Sequence, residues 1–303
     1  MFGRLLPLLM AAGAMNFCAA SPLQFEWTNP VPHRQRWVDM ASGNGVAVGV
    51  TDGFGGRTIY KSTDGRNWTH VSTPSNSALW RVKFANNNFI TVGYANTIMT
   101  SPDGNDWTLR YTDPLKGGLF DVASGNGITV AVGYNGQILA STDLKKWAAI
   151  GGLGNAYSFL SVDYGNGRFV AVGPYQIWTS TDGFTWTQIT WPPEASAFNA
   201  VDVTFNNGLF VLNAGQILTS LDGAHWKGSS GAQFRKVVSV PGGFLGVWPT
   251  ISKSVDGVNW DILLDYSGDY STYLGAATAI NGRDRKSTRL NSSHVSESRM
   301  PSS

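Results

Sequence analysis

The sequence predicts an all-β fold, a β-propeller built from four-stranded blades, and three observations support this prediction. A seven-residue turn motif recurs along the chain at a period of about forty residues. Each copy lies in the same frame of four short apolar runs, separated by turns of the Asn-Gly or Asp-Gly kind. The composition agrees, since 36 glycines and 12 tryptophans in 303 residues favour many short strands joined by tight turns.

The turn motif starts with Ser, has Asp at its third position and ends with Trp at its seventh. The six copies end at Trp68, Trp107, Trp147, Trp186, Trp226 and Trp260, with spacings of 39, 40, 39, 40 and 34 residues. Their Ser and Asp residues are Ser62 and Asp64, Ser101 and Asp103, Ser141 and Asp143, Ser180 and Asp182, Ser220 and Asp222, and Ser254 and Asp256. Because equivalent turns lie around the rim of a ring, we expect these carboxylates to stabilise the turns and not to converge on one substrate.

The four apolar runs of each repeat predict the four strands of one blade. In the fourth repeat they cover residues 159–162, 168–172, 176–179 and 186–189. Blades are predicted to start near residues 37, 80, 119, 159, 198, 234 and 273, and segment 21–29 to form an orphan closing strand. We therefore predict a single domain over residues 21–283 with seven blades. The last blade is shared between the N- and C-terminal strands, hiding the sheet edge, and is truncated in this chain.

Both ends of the chain depart from the repeat. Residues 1–20 contain Arg4, an apolar run and the small residues Cys18, Ala19 and Ala20, which is the pattern of a signal peptide cleaved after Ala20. We therefore expect export to the periplasm, the cell surface or the medium. A lipoprotein signal at Cys18 is the alternative, but Phe17 stands where that signal has a small residue. Residues 284–303 turn abruptly to Ser and Arg and resemble a translated sequencing adapter, so we expect a non-biological tail and a missing true C-terminus.

Charge and cysteine content exclude several classes of function. The formal net charge is only +2, so nothing indicates a nucleic-acid partner or a polybasic membrane patch. After residue 20 no apolar run is long enough to span a bilayer. The one cysteine excludes an internal disulfide framework and a cysteine-based zinc site. We expect a monomer without cofactor or metal.

The turn Ser-x-Asp-Gly-x-x-Trp resembles the Asp-box, also called the BNR repeat, of sialidase-like propellers and of photosystem II assembly-factor propellers. It is one residue shorter than the usual form, and the third copy has Leu144 in place of Gly. The resemblance covers residues 21–283 and implies the architecture much more than the function. A sialidase would also need an arginine triad, a tyrosine nucleophile and an acid aspartate. Five arginines lie at unrelated places in their repeats and are interpreted as surface or blade-edge charges: Arg57, Arg81, Arg110, Arg168 and Arg235. No catalytic residue is assigned.

The candidate ligand site is the face opposite the Asp-box turns, where aromatic residues follow the second strands and join the blades. These residues are Tyr94, Tyr134, Tyr175, Trp191 and Trp248. Their rings can stack on sugars or anchor a peptide, or they can simply plug the channel and pack loop on loop. We expect an exported, non-catalytic binding or assembly module for a protein or a glycan. The alternatives are a sialidase-like glycoside hydrolase or a degenerate relative, and a photosystem II assembly-factor-like protein.

Overall fold

The computed structural model describes residues 25–27, 37–51, 58–151, 157–192, 200–228, 233–247, 250–265, 273–280 and 283–289. Arg57, Trp248, residues 1–24 and residues 290–303 lie outside this part of the chain, and with them the predicted signal peptide. In the described part no helix is long and apolar enough to cross a membrane.

The all-β fold and the four-stranded blades are confirmed. After β1 (Phe25–Trp27), six sheets follow in chain order, and each is an antiparallel meander of four consecutive strands. The first contains β2 (Trp37–Gly43), β3 (Val46–Thr51), β4 (Ile59–Ser62) and β5 (Thr69–Val71); the second β6 (Leu79–Ala85), β7 (Asn88–Gly93), β8 (Ile98–Ser101) and β9 (Thr108–Tyr111); the third β10 (Leu119–Gly125), β11 (Ile128–Gly133), β12 (Ile138–Ser141) and β13 (Ala148–Ile150). The fourth contains β14 (Ser161–Gly165), β15 (Arg168–Gly173), β16 (Gln176–Ser180) and β17 (Thr187–Ile189); the fifth β18 (Asp202–Asn206), β19 (Leu209–Asn213), β20 (Ile217–Ser220) and β21 (Lys227–Gly228); the sixth β22 (Lys236–Val240), β23 (Gly243–Val247), β24 (Thr250–Ser254) and β25 (Asp261–Asp265).

The predicted count of seven blades is wrong, because the described chain forms six four-stranded blades. A further sheet has three strands: β26 (Tyr273–Ile280) pairs antiparallel with β27 (Arg283–Arg289), and β1 pairs with β27 in parallel. The second and fourth strands of a meander run in the same direction. β1 therefore runs as a fourth strand would, but among the described residues it lies directly beside the second strand, with none between them. Residues 284–289 of the predicted tail belong to β27.

The core lies in layers between neighbouring blades. The second strand of a blade is buried on both faces, so β15 reads as the nearly continuous apolar run Phe169–Val172. One such layer joins Val170 and Val172 of the fourth blade to Phe210 and Leu212 of the fifth. The innermost strands then surround a central channel: each contacts the inner strand of the next blade, and β26 contacts both β22 and β2. This arrangement brings residues from six blades to one axis.

Candidate functional site at the channel mouth

The Asp-box turns are closed by their own side chains. The hydroxyl of Ser62 donates to Oδ1 of Asp64 at 2.9 Å and accepts the backbone N–H of Gly65 at 2.8 Å. Oδ1 of Asp64 also accepts the backbone N–H groups two and three residues later. The indole N–H of Trp68 donates to the carbonyl of Gly65 at 3.2 Å. The Ser-to-Asp hydrogen bond is present in all six copies.

These bonds favour the charged form of the carboxylates, and the pKa of the Asp is lowered in all six turns. For Asp182 the backbone N–H groups of Thr185 and Phe184 lower the pKa to about 2. The third copy keeps the positive φ that glycine has in the other five turns but lacks the tryptophan hydrogen bond. Leu144 adopts a positive φ of 59°, and the indole N–H of Trp147 has no hydrogen-bond partner among the described residues.

The glycine and tryptophan of the motif join one blade to the preceding one. A Cβ on Gly223 would lie 2.6 Å from Cγ2 of Val170, a residue of the preceding blade. Trp226 of the same turn is buried in a cluster that contains Val170 and Phe210. The Asp-box carboxylates therefore lie within turns that hold the ring together.

A second set of polar residues, five of them charged, lines the central channel, and the repeat motif does not predict it. It comprises one residue near the start of the inner strand of each four-stranded blade: Asp39, Arg81, Asp121, Ser161, Asp202 and Lys236, which we call the channel ring. Nε of Arg81 lies 3.0 Å from Oδ1 of Asp121, and Nζ of Lys236 lies 2.8 Å from Oδ1 of Asp39. The side chain of Arg81 is 14% exposed, so its interpretation as a surface or blade-edge charge is wrong.

The channel carboxylates also tie each inner strand to the next. Asp39 accepts the backbone N–H of Val82 at 3.0 Å, and Asp202 accepts that of Val237 at 2.9 Å. The hydroxyl of Ser161 donates to Oδ2 of Asp121 at 2.7 Å. Burial raises the pKa of Asp39, but the opposing charges of Lys236 and Arg81 are stronger and lower it below the ordinary range. Burial raises the pKa of Asp202. The charges of Arg81 and Lys236 lower it by less than this, so the pKa stays above its ordinary value.

Above the channel ring lies a cavity of about 250 Å³, which we call the mouth cavity. Its apolar walls are formed by Val38, Trp80, Phe120, Leu160, Val201 and Val247. Its charged residues are Arg81, Asp202, Arg235 and Lys236. The register of the first three inner strands shifts at Val38, Trp80 and Phe120, which marks a β-bulge in each strand. Bulges re-aim side chains, which explains why these three residues line the mouth next to the ring.

Two of the predicted tyrosines lie beside this cavity. The ring of Trp80 stacks on Phe120, with centroids 4.9 Å apart, and its centroid lies 6.5 Å from Tyr94 and 6.3 Å from Tyr134. Tyr94 is 53% exposed and Tyr134 is 41% exposed. Both rings are therefore accessible to a ligand while one edge packs on the mouth. Trp80 and Phe120 were missed because the repeat pattern marks them only as the starts of strands.

A second tyrosine pair continues the same surface. Tyr175, which adopts a positive φ of 62°, packs on Tyr157 with a centroid distance of 5.4 Å. The backbone N–H of Asn135, next to Tyr134, donates to the hydroxyl of Ser158, next to Tyr157, at 3.3 Å. Tyr94, Tyr134, Tyr157 and Tyr175 thus lie on connected loops of the second, third and fourth blades, and we call them the tyrosine arc. Trp191 packs instead against the core cluster of the fourth and fifth blades.

Comparisons with known proteins show the fold alone. No family model and no curated protein sequence matches the chain. A structure of virginiamycin B lyase from Staphylococcus aureus with quinupristin is similar over 83% of this chain and 91% of its own, with a TM-score of 0.70 and 14% identity. YCF48 bound to a D1 peptide is similar over 77% of this chain and 79% of its own, with a TM-score of 0.55 and 14% identity. YCF48 from Cyanidioschyzon merolae covers 84% and 92%, with a TM-score of 0.61 and 16% identity.

Proposed function

We propose that this protein is a non-catalytic binding module that holds a protein segment or a glycan at the channel mouth. The observation that carries the proposal is the pairing of exposed tyrosines with a cavity that has apolar walls and charged hydrogen-bonding groups at its base. A concave apolar site with a few convergent polar groups is the usual form of a ligand site. Rings that are rigid and amphipathic provide contact area at a small cost in conformational entropy.

The channel carboxylates already have partners within the protein, and this supports ligand binding over catalysis. Asp39 and Asp121 are each ion-paired to a cation of the ring, and Asp39 and Asp202 accept backbone N–H groups of the following blade. Of the candidate arginines that the structure describes, Arg81 and Arg235 line the mouth cavity. Arg110 and Arg168 bond to threonines on the outer part of their blades, so these four do not form one triad. The glycoside-hydrolase alternative therefore gains no support from this geometry.

The comparisons fit this proposal without selecting a ligand. YCF48 is similar in fold and binds a D1 peptide, which supports a role in binding or assembly for the same architecture. We further propose that the chain is exported after cleavage behind Ala20 and acts as a monomer. Mass spectrometry of the protein recovered from its native host tests the export, because the mature chain should begin at Ser21.

The binding proposal is tested with the full chain and a double variant, Tyr94→Ala with Tyr134→Ala. Each labelled protein is applied to a glycan array, and each immobilised protein is screened with a random peptide library. We expect the wild type to capture ligands that the double variant loses, because the variant removes both exposed rings at the cavity. Phe184→Ala is the matched control, since Phe184 is 41% exposed, as Tyr134 is, but lies within an Asp-box turn. Equal capture by the wild type and the double variant would contradict the proposal.

A further inference from the structure

We infer that the channel mouth binds a neutral carbohydrate, with one pyranose unit in the mouth cavity and further units along the tyrosine arc. This inference rests on the proposed binding function and names the class of its ligand. Three properties of the mouth support it: the balance of its charges, the pairing of its backbone groups and the chemistry of its exposed surface.

The charges at the base of the mouth compensate one another. The cations Arg81, Arg235 and Lys236 and the carboxylate Asp202 line the cavity. The carboxylates Asp121 and Asp39 pair with two of these cations. The short ion pairs of Arg81 with Asp121 and of Lys236 with Asp39 hold most of this charge within the protein. A compensated base gives a charged ligand no net attraction. It still offers both acceptors and donors, and a sugar hydroxyl can use either because it donates one hydrogen bond and accepts others.

The backbone around the mouth is already paired, which disfavours a peptide that binds as an added strand. The N–H of Tyr94 donates to the carbonyl of Ala78 at 2.7 Å, and the N–H of Tyr134 donates to the carbonyl of Gly118 at 3.0 Å. The N–H of Ala95 likewise donates to a carbonyl of the neighbouring loop, at 3.3 Å. Peptides that bind by adding a strand to a sheet edge rely on free main-chain groups of their receptor. Recognition at the mouth therefore depends on ring faces and side chains, the groups that proteins use to bind sugars.

The exposed surface of the mouth has the form that a chain of sugars needs. Tyr94, Tyr134, Tyr157 and Tyr175 are between 41% and 59% exposed, and they continue across three blades. Aromatic faces are apolar and match the C–H faces of pyranose rings, while the phenol hydroxyls supply hydrogen bonds. The cavity of about 250 Å³ is smaller than a site for a drug-sized ligand, so it accommodates a single ring.

The inference is tested by titration calorimetry of the full chain with neutral hexasaccharides: cellohexaose, chitohexaose, xylohexaose and mannohexaose. Sialyllactose is the acidic comparison. We expect at least one neutral hexasaccharide to bind, and Tyr134→Ala to weaken its binding about tenfold because a stacking face is lost. Tyr134→Phe keeps the ring face and should keep most of the affinity, and Phe184→Ala should change nothing. Raising the salt from about 0.05 M to about 0.5 M should leave the affinity unchanged, since a neutral ligand has no charge to screen.

The outcomes separate this inference from the proposed function. Binding only of sialyllactose, or a steep salt dependence, would overturn the neutral ligand. Binding that depends on the tyrosines but is found only with members of a random peptide library would also overturn it, and would leave the binding module standing. If neither sugars nor peptides show binding that depends on Tyr94 and Tyr134, both the inference and the proposed function fail. A thermal melt of each variant confirms that the ring remains folded.

Discussion

The close contact between neighbouring blades at the Asp-box glycine leads to a quantitative prediction for Gly223→Ala. Gly223 has a positive φ of 72°, and a Cβ there would lie 2.6 Å from Cγ2 of Val170. Gly208 in the same blade provides a matched control, because it has a φ of 78° and a Cβ there would have no atom within 4 Å. The two substitutions therefore share the backbone strain and differ in the clash between blades.

The expected magnitudes follow from these two terms. Placing Ala in the left-handed region costs about 1–2 kcal/mol at either position. The clash at Gly223 adds about 1–3 kcal/mol, typical of overpacking in a well-packed core. The stiffening of the unfolded chain is the same for both variants and cancels from the comparison. We expect Gly223→Ala to lower the free energy of unfolding by about 1–3 kcal/mol more than Gly208→Ala does.

Urea unfolding followed by tryptophan fluorescence measures this difference, since Trp226 is buried in the affected contact. Val170→Ala removes the atom that the new methyl would meet, so the double variant Val170→Ala with Gly223→Ala should lose less than the two single losses added together. Equal losses for Gly223→Ala and Gly208→Ala would refute the reasoning. Strict additivity with Val170→Ala would refute it as well.

Two further predictions concern charged groups. The pKa of Asp182 is about 2 in the folded chain and about 3.9 when unfolded, so the folded state binds fewer protons and its stability should fall as the pH drops from about 4 towards 2. Asp182→Asn keeps an acceptor for the turn but cannot titrate, and should make this fall shallower in acid-unfolding curves; an unchanged slope would count against the turn hydrogen bonds. Lys236→Met leaves the buried Asp39 without its closest cation, at 2.8 Å, and should cost about 3 kcal/mol in urea unfolding. Adding Asp39→Asn should recover part of that loss, and failure of any recovery would show that the ion pair does not account for the effect.

The repeat contained enough information to predict the strands and turns. The turn of Asn166 and Gly167 between β14 and β15 has positive φ at both residues, as a tight hairpin requires, and the spacing of the tryptophans matches the four-stranded sheets. These features depend on residues close in sequence. The blade count was not predictable in the same way, because it depends on how β1, β26 and β27 pair at the closure of the ring.

The channel ring shows why the rest of the site was missed. Lys236 and Asp39 are 197 residues apart and meet only because the ring closes. The repeats do place Asp39, Arg81 and Asp121 at equivalent positions, so an alignment of the inner strands would have shown a charged position within buried strands. The direction of each side chain depends on bulges that the period does not reveal. For the same reason the sequence did not show that Tyr134 lies at the mouth whereas Trp191 packs in the core.

The central claim is that ligand binds at the channel mouth, and carbene footprinting of the full chain with and without saturating ligand tests it most directly. We predict that ligand protects Tyr94 and Tyr134 from labelling and leaves Phe184, which is as exposed as Tyr134 but lies on an Asp-box turn, labelled as before. Protection of Phe184 with unchanged labelling of the two tyrosines would contradict the claim.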